Sequence, residues 1–221
     1  MNKLISIEGT DCSGKQTQSE LLKKNLENMG YSIYQSGFPM YDTPTGRIVW
    51  NSYLGKDGNG FFPEGAVNVD RKVAGLYYAA DRLYNLPKIQ KMLDSGSVIL
   101  DRYVDSNLAH QGAKIEDRLE REKTYQFFED LEYGLLGLPR PDIKILLYMP
   151  TEYARILKQG REEKPDQHES DEAYLKRSEN CYLEIAKRNN YKVINCVDNG
   201  KIRTIEDIQE ELLGYVISQL R

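Results

Sequence analysis

The sequence is poor in cysteine. Three stand in 221 residues, Cys12, Cys181 and Cys196, far apart and with no Cys-x-x-Cys pair. That excludes a disulfide-stapled secreted scaffold and points to a reducing compartment. No run approaches the roughly 18 apolar residues of a membrane span, and the chain opens on "KLISIE", which reads as a strand and not as a signal peptide. The expectation is a cytoplasmic protein with neither a membrane nor a nucleic acid as partner. Positive charge is not in excess: 30 Lys and Arg face 34 Asp and Glu, a net charge of −4. There is no general pull toward polyanions, so any anion site must be local, built from a few placed cations and backbone amides. Repeats and low-complexity tracts are also missing.

What remains is ordinary globular material, 40% hydrophobic and 29% charged, enough for one α/β domain spanning 1–221 with its own core. The sixteen tyrosines are mostly half-buried packing residues with wet hydroxyls, and position must decide which could stack on a base.

Apolar runs alternate with helical periodicity. "KLISIE" (3–8), "YSIYQSGF" (31–38), "SVILD" (97–101), "IKILLYM" (143–149) and "YKVINCV" (191–197) read as strands, buried on both faces as in a parallel sheet. Helices are expected over 15–29, with Leu21, Leu22, Leu26 and Met29 on one face and Gly30 as the stop, then near 45–54, and over 66–94, where Pro87 can kink the helix. Further helices are expected over 117–134, 151–159, 172–188 and 203–220. Residues 55–65 read as a Gly-rich loop. The fold expected is a five-stranded parallel sheet with helices on both faces. Ligands then belong beyond the carboxyl ends of the strands, at 9–17, 37–47, 101–112, 150–171 and 198–201.

"GTDCSGKQT" puts Gly9, Gly14 and Lys15 at the G-x-x-x-x-G-K spacing after a strand and at the start of a helix, the context that makes the motif a phosphate loop. The fold is then a three-layer sandwich of the P-loop NTPase type. Backbone N–H groups of Gly9, Thr10, Asp11, Cys12, Ser13, Gly14, Lys15, Gln16 and Thr17 wrap the anion, and Lys15 reaches its outer phosphates. A Ser or Thr that touches Mg²⁺ normally follows the lysine. Here it is Gln16, whose amide oxygen is the substitute. Asp11 faces a sugar hydroxyl, a cation or a second substrate, or else caps the loop.

Asp101 and Arg102 in "DRY" suit a metal and a phosphate at a strand end. Tyr78 and Arg82, four apart on a helix, offer an aromatic plane and a donor fork to a flat base, or make a structural cation–π pair. "SNLAHQGAK" (106–114) suits a wall around a sugar or base. The charged stretch 158–171, with Lys158, Arg161 and Lys164, is either a lid over phosphates or a solvated loop.

In order along nearly the whole chain, "IEGTDCSGKQTQ", "FP" at 38–39, "YAADR" at 78–82, "DRYVDSNLAHQGAK" at 101–114, "LPRPD" at 138–142 and "VDNGK" at 197–201 resemble the thymidylate (dTMP) kinase family of P-loop nucleoside monophosphate kinases. The resemblance implies ATP as phosphoryl donor, dTMP as acceptor, Mg²⁺, and a homodimer. It assigns Tyr78 to stacking on thymine, Arg82 to a base carbonyl, Arg102 to the acceptor phosphate, Asp101 to the metal and Asp11 to the sugar 3′-hydroxyl. Phe38, Tyr103, Ser106 and Gln111 join the substrate wall, and His110 takes the place of an aromatic that crowds the 2′ position. "VDNGK" lies where the adenine packs. Tyr41 replaces a phosphate-binding arginine of some members. Cys12 replaces a catalytic loop arginine, so the bacterial arrangement is implied, with Arg161 of the lid supplying the charge and Lys164 as runner-up. The 66–94 helix, through Val69, Val73, Leu76 and Tyr77, is the expected dimer face. Two other readings stand beside it: a deoxynucleoside kinase, and a nucleotide-binding regulator whose catalysis is impaired by Gln16.

Overall fold

The computed structural model describes residues 2–10, 12–55, 60–158 and 172–220. Asp11, Arg161, Lys164 and almost all of the 158–171 segment lie outside the described residues. The elements run β1 (Leu4–Gly9), α1 (Lys15–Asn28), β2 (Ile33–Gly37), α2 (Pro44–Ile48) with a π-helical turn (Val49–Tyr53), α3 (Arg71–Ser95), β3 (Ser97–Asp101) and α4 (Val104–Gly112). They continue with α5 (Arg118–Glu129) and a second π-helical turn (Asp130–Leu135), β4 (Ile143–Tyr148), α6 (Thr151–Lys158), α7 (Glu172–Arg188), β5 (Lys192–Asn195), β6 (Val197–Asp198), β7 (Lys201–Ile202) and α8 (Ile205–Leu220).

Five strands form one sheet in the order β2-β3-β1-β4-β5, every neighbouring pair parallel. Alternation along the strands sorts the core into two layers. Ile5, Ile7, Ile99, Ile145 and Leu147 face one side and pack with Leu22 and Leu26 of α1 and Leu212 and Val216 of α8. Leu4, Val98, Leu100 and Leu146 face the other, against Ile89 of α3, Leu108 of α4, Phe128 of α5 and Ile185 of α7. Each fully buried Leu or Ile contributes about 1.5–3 kcal/mol relative to an exposed one. β1 breaks the rule at its far end. Its residues on the α4 side are Leu4, then Ser6 and Glu8, both fully buried. An ionisable side chain is thus placed in the core just under the strand ends.

Three stretches differ from the sequence expectation. α3 begins at Arg71 and not at 66, because Asp70 caps it, its carboxylate accepting from Lys72 N at 2.8 Å and Val73 N at 3.2 Å. The preceding turn is pinned from outside: Lys114 Nζ donates to Ala66 O at 3.1 Å and Val69 O at 2.8 Å. The stretch 106–114, read as a wall, lies mostly in a full helix, Val104–Gly112. The fifth strand stops at Asn195, and 197–202 fold back as the hairpin β6–β7, turning through Asn199 and Gly200 at φ 49° and 74°. Asn-Gly is the pair that such a turn favours. Pro87 lies inside α3 without ending it.

Candidate active site

The donor side is made by main chain. Cys12 (φ 57°) and Gly14 (φ 77°) adopt left-handed conformations, which turns successive N–H groups to one side and forms a nest for an anion. Gly9 is required by space: a Cβ would stand 2.6 Å from Ser13 Oγ and 2.7 Å from Leu147 O. Lys15 is buried, and its Nζ donates to Gly9 O at 3.1 Å and Thr10 O at 2.8 Å. The ammonium is therefore drawn back over the loop that it serves. Thr10 Oγ1 donates to Met149 O at 2.7 Å, so this hydroxyl fastens the loop to the end of β4. Ser13 Oγ is buried without a hydrogen-bond partner among the described residues. Gln16, expected at the metal, is exposed and reaches forward along α1 to donate to Glu20 at 3.0 Å. Thr17 is exposed as well.

At the end of β3 the site is made by side chains. β3 ends at Asp101, and Arg102 (φ 65°) turns the chain directly into α4 while its N–H still bonds Ile7 O at 3.0 Å. A left-handed non-glycine costs about 1–2 kcal/mol, so neighbours must hold it. They do. Arg102 Nη1 lies 2.9 Å from Tyr182 Oη, 3.4 Å from Ser106 Oγ and 3.4 Å from His110 Nε2. Ser106 Oγ donates to Glu8 Oε2, and Tyr103 N donates to Glu8 Oε1 at 2.7 Å. Burial pushes the Glu8 carboxyl up to about 7, against the opposing pull of Ser106 and Arg102. Tyr174 Oη donates to His110 O at 3.1 Å, so its oxygen, 3.0 Å from Nδ1, accepts from His110. This sets the tautomer: Nδ1 carries the proton and Nε2 presents a lone pair to Arg102.

A cavity of about 530 Å³ opens at the ends of β2 and β3, lined by Phe38, Pro39, Tyr41, Lys88, Asp101 and Arg102 among others. Asp101 Oδ1 is buried with no hydrogen-bond partner among the described residues, an orphaned acceptor that fits a cation or its water. No group of three or more Asp, Glu, His or Cys side chains suited to a metal occurs among the described residues. The donor set therefore fits Mg²⁺ held by one carboxylate and by phosphate oxygens, as this ion prefers. Asp101 fits that role, while the amide nitrogen of Gln16 is turned to Glu20.

Tyr78 of α3 is half-buried and packs edge-on against Tyr53, centroids 5.6 Å apart. Gln111 is fully buried, and both Oε1 and Nε2 lack a partner among the described residues. An amide in that state is an expensive thing for a core to keep.

Several expected roles are relocated. Arg82 does not stand open to a base. It is 2% exposed, Nε and Nη2 (2.8 Å) are spent on Glu132, and Nη1 donates to Tyr103 O at 3.4 Å. Glu132 also accepts from Asn107 at 3.0 Å. Tyr103 is a core residue whose ring packs against Phe38 and Tyr133 and whose hydroxyl donates to Pro139 O at 3.1 Å. Phe38 is buried with it, though it also contributes to the cavity wall. Ser106 is engaged by Glu8, Arg102 and Tyr182. Of the dimer stripe, Val69 is buried and Tyr77 packs inward against Phe62. Val73 and Leu76 are exposed, together with Leu83 and Tyr84.

The sequence reading missed Glu8, Glu132, Tyr174 and Tyr182, all polar partners of the expected residues. It also missed Asp81, which ties the loop after β2 to α3 through Met40 N at 2.9 Å and Thr45 Oγ1 at 2.7 Å. Only Glu8 carried a signal, as a carboxylate inside a buried strand.

A nested loop at the N-terminus of α1, with a cation at the end of the adjacent strand, defines a P-loop protein of the kind that moves phosphoryl groups. The chain belongs to the thymidylate kinase family, whose model matches residues 7–208. It is 30% identical over 217 residues to a probable thymidylate kinase of Methanocaldococcus jannaschii, covering 97% of this chain and 96% of that one. It is 31% identical over 189 residues to the thymidylate kinase of Mycobacterium tuberculosis, covering 83% and 85%. The fold matches a solved thymidylate kinase from Candida albicans with a TM-score of 0.73 at 24% identity, covering 98% and 92%.

Proposed function

We propose that this chain transfers the γ-phosphoryl group of ATP to dTMP, giving dTDP and ADP, and that its 221 residues act as one kinase domain. The observation that carries the reading is the pairing of two anion grips on adjacent strands. The nest and Lys15 follow β1, Arg102 follows β3, and Arg102 N bonds Ile7 O at 3.0 Å between them. A donor and an acceptor phosphate held at neighbouring strand ends can meet in line, and phosphoryl transfer needs little beyond such positioning and charge neutralisation.

Lys15 and the loop amides hold the donor phosphates, and Arg102 holds the acceptor phosphate. Asp101 would hold Mg²⁺, which supplies charge neutralisation when bound. Tyr78 gives the base an aromatic face, Gln111 reads its edge, and His110 crowds the sugar. Arg82 acts from behind this wall, as the partner of Glu132. Asp11 and Arg161 keep the roles that the family resemblance gives them. Replacing Arg161 with Ala should lower kcat by about 10³–10⁵ with little change in dTMP affinity, and near-normal turnover would move the role to Lys164.

We also infer a dimer through the exposed stripe Val73, Leu76, Leu83 and Tyr84 on α3, and a cytoplasmic setting, supported by three buried cysteines that form no disulfide. A coupled ADP-release assay with dTMP, dUMP, dCMP and thymidine tests the substrate. Turnover with dTMP and none with thymidine is expected. The reverse order would make this a deoxynucleoside kinase, and silence with all four would leave a nucleotide-binding protein.

A further inference from the structure

Arg102 sits in a left-handed turn, and Ser106 Oγ and His110 Nε2 of the next helix stand 3.4 Å from its guanidinium, farther than the 2.9 Å of Tyr182. The arginine side chain is aimed from 80 residues away. Tyr182 of α7 is 2% exposed. Its ring lies in the core layer that holds Ile185 and Leu108, edge-on to His110 with centroids 5.9 Å apart, so its place is set by packing. The hydroxyl stands 2.9 Å from Arg102 Nη1 and 2.9 Å from Ser106 Oγ.

The donors can be counted. A guanidinium only donates, so the tyrosine oxygen accepts from Arg102. Ser106 spends its one proton on Glu8, so Tyr182 donates to Ser106. The bonds therefore run in one direction, from Arg102 to Tyr182 to Ser106 to the Glu8 carboxylate. Each link is polarised by the Arg102 charge at its head, and such chains strengthen one another in a dry interior.

We propose that Tyr182 is the positioning residue for Arg102: its hydroxyl couples the guanidinium to the buried Glu8 carboxylate through Ser106 and so aims the arginine at the acceptor phosphate. This rests on the reading that Arg102 holds that phosphate. A tyrosine needed only for packing would be replaceable by phenylalanine at no cost to any ligand. A positioning tyrosine would not, and the cost would fall on the phosphate alone.

The experiment compares dTMP with thymidine, which has the base and sugar without the phosphate, by calorimetric titration of the full chain. Tyr182→Phe keeps the ring. It should weaken dTMP about tenfold, the scale of a hydrogen bond to a charged group, and leave thymidine unchanged. In turnover kcat/KM for dTMP should fall more than kcat. Ser106→Ala should act in the same direction, and the double variant should lose less than the sum of the two single losses, because both cut one chain although Ser106 also touches Arg102 directly. Arg102→Ala serves as the reference and should abolish most of the preference for dTMP over thymidine. If Arg102→Ala has that effect while Tyr182→Phe leaves both affinities intact, or weakens both equally, the positioning role is wrong and the phosphate grip stands. If Arg102→Ala keeps the preference, the phosphate grip is wrong and the role of Tyr182 falls with it.

Discussion

The loop after β1 and the turn after β3 lie on neighbouring strands and each presents a cation at the sheet edge, but they are built from different material. In the loop the functional groups are backbone amides, and the lysine that completes them bonds to carbonyls of Gly9 and Thr10, six and five residues before it. At the turn the functional group is one guanidinium, held by His110, Ser106 and Tyr182. Behind it lie two buried carboxylates, Glu8 and Glu132. A main-chain site keeps its shape if a side chain is lost. A side-chain site is only as good as the most remote partner in its network.

The largest effect expected from this difference is on the network. Glu132→Ala leaves Arg82 charged, buried and unpaired, a loss of about 3–5 kcal/mol. In a chain of this size that lowers Tm by about 10 °C, read by calorimetry. Replacing both partners, Arg82→Met with Glu132→Leu, should recover most of the loss, since a buried pair is often no more stable than an apolar one. If dTMP affinity recovers along with stability, Arg82 touches no base. On the loop the sign of the split reverses. Lys15→Met should cost about 10²–10³ in kcat, or 3–4 kcal/mol at the transition state, with Tm nearly unchanged. A Tm drop like that of Glu132→Ala would erase the distinction between the two sites.

Glu8 sharpens the comparison through pH. Its carboxyl is pushed by burial from the ordinary 4.5 to about 7. The folded chain therefore binds this proton more tightly than the unfolded chain. The contribution to stability is fully present below about pH 4.5 and is lost as pH rises to about 7. The expected loss is about 3 kcal/mol, from 1.36 kcal/mol per pH decade across that window. Glu8→Gln cannot ionise, so the stability of the variant relative to the parent should rise by that amount between pH 4.5 and pH 8 in denaturant titrations. A difference that stays flat with pH would mean the carboxyl ionises freely in the fold.

The same contrast explains what the sequence made legible. The nest depends on residues 9–15, so spacing alone disclosed it, and the apolar runs alternating with helical periodicity disclosed the sheet. The αL turn at Arg102 and the pairs Arg82–Glu132, Glu8–Ser106 and Arg102–Tyr182 join residues 50, 98 and 80 positions apart. No local pattern marks such partners, so Arg82 read as a free donor and Tyr103 as a wall residue. Gln16 read as a metal ligand because its position suggested it, whereas the helix gives its amide a partner in Glu20, one turn on.

Gln111 is the point where the two kinds of site give opposite predictions from a single substitution. For a side chain that serves the fold, replacement costs stability. The Gln111 amide has no protein partner among the described residues at either end, so the fold gains nothing from its polarity and bears the desolvation of both atoms. Gln111→Leu, close in size, should therefore raise stability by about 1 kcal/mol. It should also weaken dTMP by about tenfold, because a base edge would then meet an apolar surface and leave its own polar atoms unpaired, a cost of about 1–3 kcal/mol. Thermal unfolding without nucleotide and calorimetric titration with dTMP read the two effects separately. A loss of stability would show that the amide belongs to the network of Glu8 and Glu132, and an unchanged affinity would remove Gln111 from the base-binding wall.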